Sequence, residues 1–124
     1  MADKLDIERR KPVWVALSEF YLDTELSSED FDRIVTVFRQ SGYTLKELKE
    51  IDLYEVFTLL QANLLSATGV WASFKEEWLV SECGKLYEKR SHIGHRMICR
   101  FLNCIFYWMR RGYWKEIEKR MTSN

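Results

Sequence analysis

The sequence predicts an all-α fold, a compact single-domain bundle of five to seven helices, and three observations carry that prediction. Apolar residues recur at spacings of three and four along almost the whole chain. No segment shows sustained apolar–polar alternation of the kind a half-buried strand needs. One proline and five glycines in 124 residues leave few interruptions, and no Gly/Ser linker, low-complexity tract or internal repeat is present.

The elements follow in order. Pro12 suits the first turn of a helix, where its missing N–H costs nothing, so residues 1–10 are expected as a tail and residues 11–124 as one helical domain. Trp14, Leu17 and Tyr21 line one face of that helix, with Val13 and Phe20 beside them, and Asp23-Thr24-Glu25 ends it. Ser27 or Ser28 caps the next helix, and Glu29, Asp30 and Asp32 favour its positive N-terminal end. Its stripe is Phe31, Ile34, Val35 and Phe38, and Ser41-Gly42 closes it with a glycine suited to the left-handed position. Thr44 with Glu47 is a capping-box pattern.

Leu45 and Leu48 open a third helix, and the stripe then moves to Leu53, Val56, Phe57, Leu60 and Leu64. The two stripes are out of phase, which predicts a break or kink near Ile51-Asp52. Ser66 to Gly69 reads as a loop, and Ser73 with Glu76 as a second capping box, opening a helix with Phe74, Trp78, Leu79 and Leu86 inward. Ser91 to Gly94 reads as a connection. Met97, Ile98, Phe101, Leu102, Ile105, Trp108 and Met109 make a stripe so wide that the helix is expected at the centre of the bundle. Gly112 is expected to end or bend it, before a short amphipathic helix with Trp114, Ile117 and Met121.

Composition excludes several classes. A charged fraction of 31% beside 47% hydrophobic residues argues against both disorder and a membrane class. Three cysteines without paired spacing argue for reduced thiols, and MADKLDIERRK contains no apolar run of signal-peptide length, so a cytoplasmic location is expected. The net charge of zero hides a split. Residues 1–80 hold nine Lys/Arg against fifteen Asp/Glu, and residues 81–124 hold ten against four.

That split defines two candidate surfaces. Glu19, Asp23, Glu25, Glu29, Asp30 and Asp32 surround the corner between the first two helices, and form the expected partner-binding face. Arg96, Arg100, Arg110, Arg111, Lys115 and Lys119, interleaved with aromatics and joined by Arg120, form the alternative, a nucleic-acid-binding surface. Glu116 and Glu118 dilute it. The basic tail and the acidic corner can also match each other, within one chain or across a homodimer. Contact of the basic helices with an anionic membrane is set aside, because their apolar face is expected in the core.

Catalytic and metal chemistry find little support. Asp30 and Asp32 project to different sides of a helix, and no Gly-rich calcium loop follows them. His95 and Cys99 stand one helical turn apart, with His92 and Cys83 elsewhere, but no second close ligand pair and no Cys-x-x-Cys completes a site. Ser18, Ser66 and Ser81 lack a nucleophile-elbow context. No catalytic residue, metal or cofactor is therefore assigned, and the chain is read as not an enzyme.

The segments PVWVALSEFYLDTEL, SGYTLKEL, EVFTLLQANLLSATGVWASF and EEWL together resemble a family of small uncharacterised bacterial helical domains. The matching positions are Leu22 to Glu25, Ser41 to Tyr43, Glu55-Val56, Asn63 to Leu65 and Trp71, within residues 9–80. Asp23, Glu25 and Glu55 belong to that pattern, and the C-terminal third departs from it. Proteins of this type are similar to immunity proteins of bacterial toxin systems. The resemblance implies a non-enzymatic inhibitor that binds a cognate toxin, such as a nuclease, through the acidic face.

Overall fold

The computed structural model describes residues 2–21, 25–65 and 76–122. Within them the chain is all-α, with no strand. The helices are α1 (Ala2–Ser18), α2 (Ser28–Ser41), α3 (Leu45–Ile51), α4 (Phe57–Leu65), α5 (Glu76–Glu88), α6 (Ile93–Phe106) and α7 (Arg111–Thr122). A π-helical turn, Asp52–Val56, joins α3 to α4 without a break, so the described residues form six helical rods. Short 3-10 turns, Glu19–Tyr21 and Tyr107–Met109, follow α1 and α6.

Local chemistry sets several boundaries. Ser27 accepts from the Asp30 backbone N–H while the Asp30 carboxylate accepts from Ser27 N–H, closing the capping box that opens α2. Thr44 and Glu47 do the same for α3. Gly42 ends α2 at φ 78°, the left-handed conformation only glycine adopts cheaply.

Three boundaries differ from the sequence reading. Pro12 lies inside α1, not at its start. The residues before it are helical, and Asp6 and Arg10 hold this first part of α1 against Tyr43, Tyr87 and Glu55, an anchorage that offsets the lost backbone bond. Near Ile51-Asp52 the helix does not break. It widens into the π turn, where Phe57 N–H reaches the Asp52 carbonyl, and the wider turn shifts the phase of the stripe. Gly112 lies within α7, and α6 ends earlier, at Phe106. The expected loop at Ser66–Gly69, the Ser73 cap, Phe74 and Trp71 lie outside the described residues.

α1 is the central element. It packs against α2, α5 and the π turn, and Val13, Trp14 and Leu17 are completely buried. α7 packs on α2, where Trp114 stacks on Phe38 and meets Phe20 edge-on at 5.3 Å. Leu48, Ile51, Val56, Phe57, Leu79 and Cys83 complete the core. Each fully buried large apolar side chain contributes roughly 1.5–3 kcal/mol.

α6 is not central. Only Cys99 of this helix is fully buried, and most of its apolar stripe faces outward, while Leu102 packs against the core. Its contacts run to the π turn and α4 along one side. No helix among the described residues is long and apolar enough to cross a membrane.

Candidate functional site

Four of the five residues of the π turn are buried, and two of those four are carboxylates. Asp52 and Glu55 are 1% and 2% exposed. Asp52 Oδ1 accepts from the Tyr21 hydroxyl at 2.5 Å, and Oδ2 accepts from Arg110 Nε at 3.0 Å and Trp114 Nε1 at 3.2 Å. Arg110 also donates to Asn103 and lies over the Phe57 ring. Burial beside Asp52 pushes the Tyr21 phenol well above its ordinary value, so it stays a donor. One carboxylate thereby ties the end of α1, α6 and α7 to the π turn.

Glu55 performs the same service on the other side. Its Oε1 accepts from Trp14 Nε1 at 2.9 Å and from Arg10 Nε at 3.1 Å. Burial raises the Glu55 carboxyl despite these partners. Arg10 continues to Asp6, which also accepts from the hydroxyls of Tyr43 at 2.8 Å and Tyr87 at 2.7 Å. Partial burial works against ionisation of Asp6, but the two phenols and Arg10 hold it below the usual carboxylate value. Burial and Asp6 push both phenols up to about 12.

The third tie is a backbone group. His95 Nε2 lies 2.7 Å from the Tyr54 carbonyl, which only accepts, so Nε2 carries the proton. Cys99 Sγ sits 3.4 Å from the same nitrogen. His95 and Cys99 thus join α6 to the π turn, Cys83 is enclosed in the core, and Cys104 is exposed on α6. Among the described residues no three His, Cys, Asp or Glu gather as metal ligands. A cavity of about 260 Å³ opens beside the π turn, lined by Arg10, Tyr54, Glu55, Arg90 and Arg96.

On its outer side α6 is apolar and exposed. Ile93, Met97, Phe101 and Ile105 follow one another at four-residue spacing, with Ile98 alongside and Trp108 in the turn that follows. These six side chains are 47–75% exposed. Isolated exposed apolar residues are ordinary, whereas a contiguous row along one helix is uncommon on a protein surface. Between Lys89 and Lys115 the chain carries seven Lys/Arg and no Asp or Glu, so the border of the row is cationic. Arg100 and Arg111 are exposed there.

The acidic corner is partly self-neutralised. Arg33 bridges Glu19 and Asp30, and Arg120 of α7 pairs with Asp32 and donates to Ser28. The basic tail and acidic corner therefore meet within one chain. Glu25 and Glu29 remain exposed, and Asp23 lies outside the described residues. The basic candidates separate. Arg100, Arg111, Lys115 and Lys119 are exposed, and Arg96 is half-buried over Tyr54. Arg110, 2% exposed and bound to Asp52, is removed from any nucleic-acid surface by its burial.

Residues 8–120 match the family model described as Domain of unknown function (DUF7079). The chain belongs to the DUF7079 family. No curated protein and no solved structure matches it. The DUF7079 match runs past residue 80, where the sequence resemblance stopped, and takes in α6 and α7. The π-turn hub and the exposed face of α6 both lie inside the DUF7079 region. Sequence reasoning assigned no role to Asp52, Arg10 or Asp6. The available signal was the pair Asp52 and Glu55 set in an otherwise apolar helical run.

Proposed function

We propose that this protein is a non-enzymatic protein-binding module, an immunity-type inhibitor that docks on a bacterial toxin through the outward face of α6. The observation that supports this reading is the row Ile93, Met97, Ile98, Phe101, Ile105 and Trp108, exposed along α6 and the turn that follows it. An aromatic-rich apolar row is the usual centre of a protein interface, with a polar rim around it. The buried carboxylates support the non-enzymatic part, because Asp52 and Glu55 are occupied by donors that hold helices together.

The rim chemistry selects the partner. The charged residues of the segment that carries the row, residues 89–115, are all cations, so the complementary surface is apolar and edged with carboxylates. A second copy of this chain fits less well. Two α6 helices crossing antiparallel about Phe101 would bring Arg100 against its own copy, a like-charge contact that costs affinity.

The test is inhibition of the product of the adjacent gene in a purified system. Phe101→Asp with Trp108→Asp abolishes inhibition while leaving the helical circular-dichroism spectrum intact, and unchanged inhibition by this variant overturns the docking face. Charge reversal at Glu25 and Glu29 separates the two surfaces: it leaves docking by α6 intact and destroys docking by the acidic corner. A concentration-dependent dimer dispersed by Phe101→Asp, or capture by anionic vesicles with no effect on the toxin, assigns the α6 face to a different occupant and rejects the inhibitor reading.

A further inference from the structure

We infer that the cavity beside the π turn is a binding site for a small oxyanion, a phosphate or carboxylate group, gripped by Arg90 and Arg96. The site is independent of the α6 docking face. Its walls are Arg10, Tyr54, Glu55, Arg90, Ser91 and Arg96, around about 260 Å³. Arg10 and Glu55 are spent on each other, with Asp6 and Trp14 completing their bonds. Glu47 is spent on the Thr44 backbone N–H.

Arg90 and Arg96 are spent differently. The Arg90 guanidinium lies 3.7 Å from the Tyr87 ring centre and donates from Nη1 to the Tyr87 carbonyl at 2.8 Å. The Arg96 guanidinium lies 4.1 Å from the Tyr54 ring centre and donates from Nη1 to the Arg90 carbonyl at 3.0 Å. Among the described residues neither makes an ion pair with a carboxylate. Each therefore uses one of five N–H donors and, although Asp6 and Glu55 act on Arg90 at longer range, keeps its remaining donors free of a direct carboxylate contact.

Stacking and the carbonyl bonds fix both guanidiniums before any ligand arrives, which lowers the ordering cost of binding. Planar N–H forks match the oxygens of phosphate and carboxylate. Ser91, between the two arginines in the turn, adds a hydroxyl at the wall. The π turn supplies Tyr54, and such widened turns recur at functional positions. Glu47 and Glu50 are exposed residues of the same cavity, so its mouth is acidic. An extended polyanion would meet them, and a small anion would pass. The larger groove between α1 and α2 offers no such grip, because its Glu19 and Arg33 pair with each other.

The experiment is an NMR titration of the full chain with inorganic phosphate and, separately, acetate, at constant ionic strength against chloride. The expected result is saturable shifts of the Tyr54, Ser91 and Arg96 amides. Phosphate saturating at lower concentration assigns a phosphate group, and acetate doing so assigns a carboxylate. Arg96→Ala weakens binding about tenfold or more, as loss of a charge-assisted hydrogen bond does. Ser91→Glu, a change in an exposed turn that the fold tolerates, abolishes it by placing an anion in the wall. Arg111→Ala, on α7 away from the cavity, binds as the wild type. Linear shifts spread over the surface, equal weakening by Arg111→Ala, or unaltered binding by Ser91→Glu each overturn the site.

Discussion

The π turn and α6 lie side by side, and each inverts the usual rule for where side chains go. In the turn, Asp52 and Glu55 are enclosed with almost no exposure, whereas on α6 Phe101 and Trp108 are 66% and 69% exposed. The difference is one of partners. A buried carboxylate is tolerable when donors converge on it, and five side chains from α1, α7 and the segments flanking them converge on this pair. Among the described residues nothing covers the exposed apolar row. Polarity alone decides neither placement.

The largest break in this comparison comes at Asp52. Asp52→Ala leaves the Arg110 guanidinium buried without its carboxylate and strips acceptors from Tyr21 and Trp114. An uncompensated buried charge costs about 3–5 kcal/mol. Urea unfolding monitored by circular dichroism should show a loss of that size. A loss below about 1 kcal/mol would mean that the hub does not hold α6 and α7 to α1.

Much of this contrast was illegible in the sequence for a physical reason. The capping boxes at Ser27/Asp30 and Thr44/Glu47 and the glycine at 42 were readable, because their partners lie within a few residues. The stripe shift near Ile51 was readable as a disturbance, but periodicity does not say whether a helix breaks or widens. Asp52 takes its donors from positions 21, 110 and 114, separations that no local pattern encodes. On α6 the amphipathic stripe was plain, but its breadth suggested a central helix. Amphipathicity gives a helix two faces, and only the tertiary packing, here through Cys99 and His95, decides which one is inward.

A smaller effect separates by pH the two carboxylates that share Arg10, the partly buried Asp6 and the buried Glu55. Asp6 is held below the ordinary carboxylate value, so its contribution is present above about pH 4 and is lost as pH falls through its lower folded value. Asp6→Asn therefore costs about 1–2 kcal/mol at neutral pH, and the gap to wild type closes in acid. Glu55 is raised, which reverses the sign. Its contribution is present below about pH 4 and is lost as pH rises through its higher folded value. Wild type minus Glu55→Gln should thus move against the wild type as pH climbs above the ordinary carboxylate range. Thermal unfolding across pH 3 to 8, at roughly one-unit steps, measures both slopes. Parallel slopes for the two variants would contradict the opposed environments.

Gly42 tests a purely local element of the frame around the hub. Its φ of 78° disfavours any residue with a Cβ, and an added Cβ would sit 3.2 Å from Arg9 Nη2, whose guanidinium donates to the Ser41 carbonyl and lies over the Tyr43 ring. The left-handed backbone sets the minimum cost, and a displaced Arg9 contact adds to it. Gly42→Ala should destabilise by about 1 kcal/mol. A neutral result in urea would show that α2 ends without needing this cap.

The smallest stability effect should come from the most apolar surface. Phe101→Ser removes a large side chain that is already two-thirds exposed, so little burial is lost on folding. The expected change in unfolding free energy is within about 0.5 kcal/mol, the range of ordinary surface substitutions. Partner affinity should behave in the opposite way, because an aromatic at the middle of an interface row carries a disproportionate share of binding energy. The two measurements on one variant therefore separate the roles of the two regions. If Phe101→Ser destabilised the isolated chain by several kcal/mol, α6 would be packed inside the fold in solution, and the contrast with the π turn would collapse. If it left both stability and toxin inhibition unchanged, the apolar row would be exposed without being the docking surface.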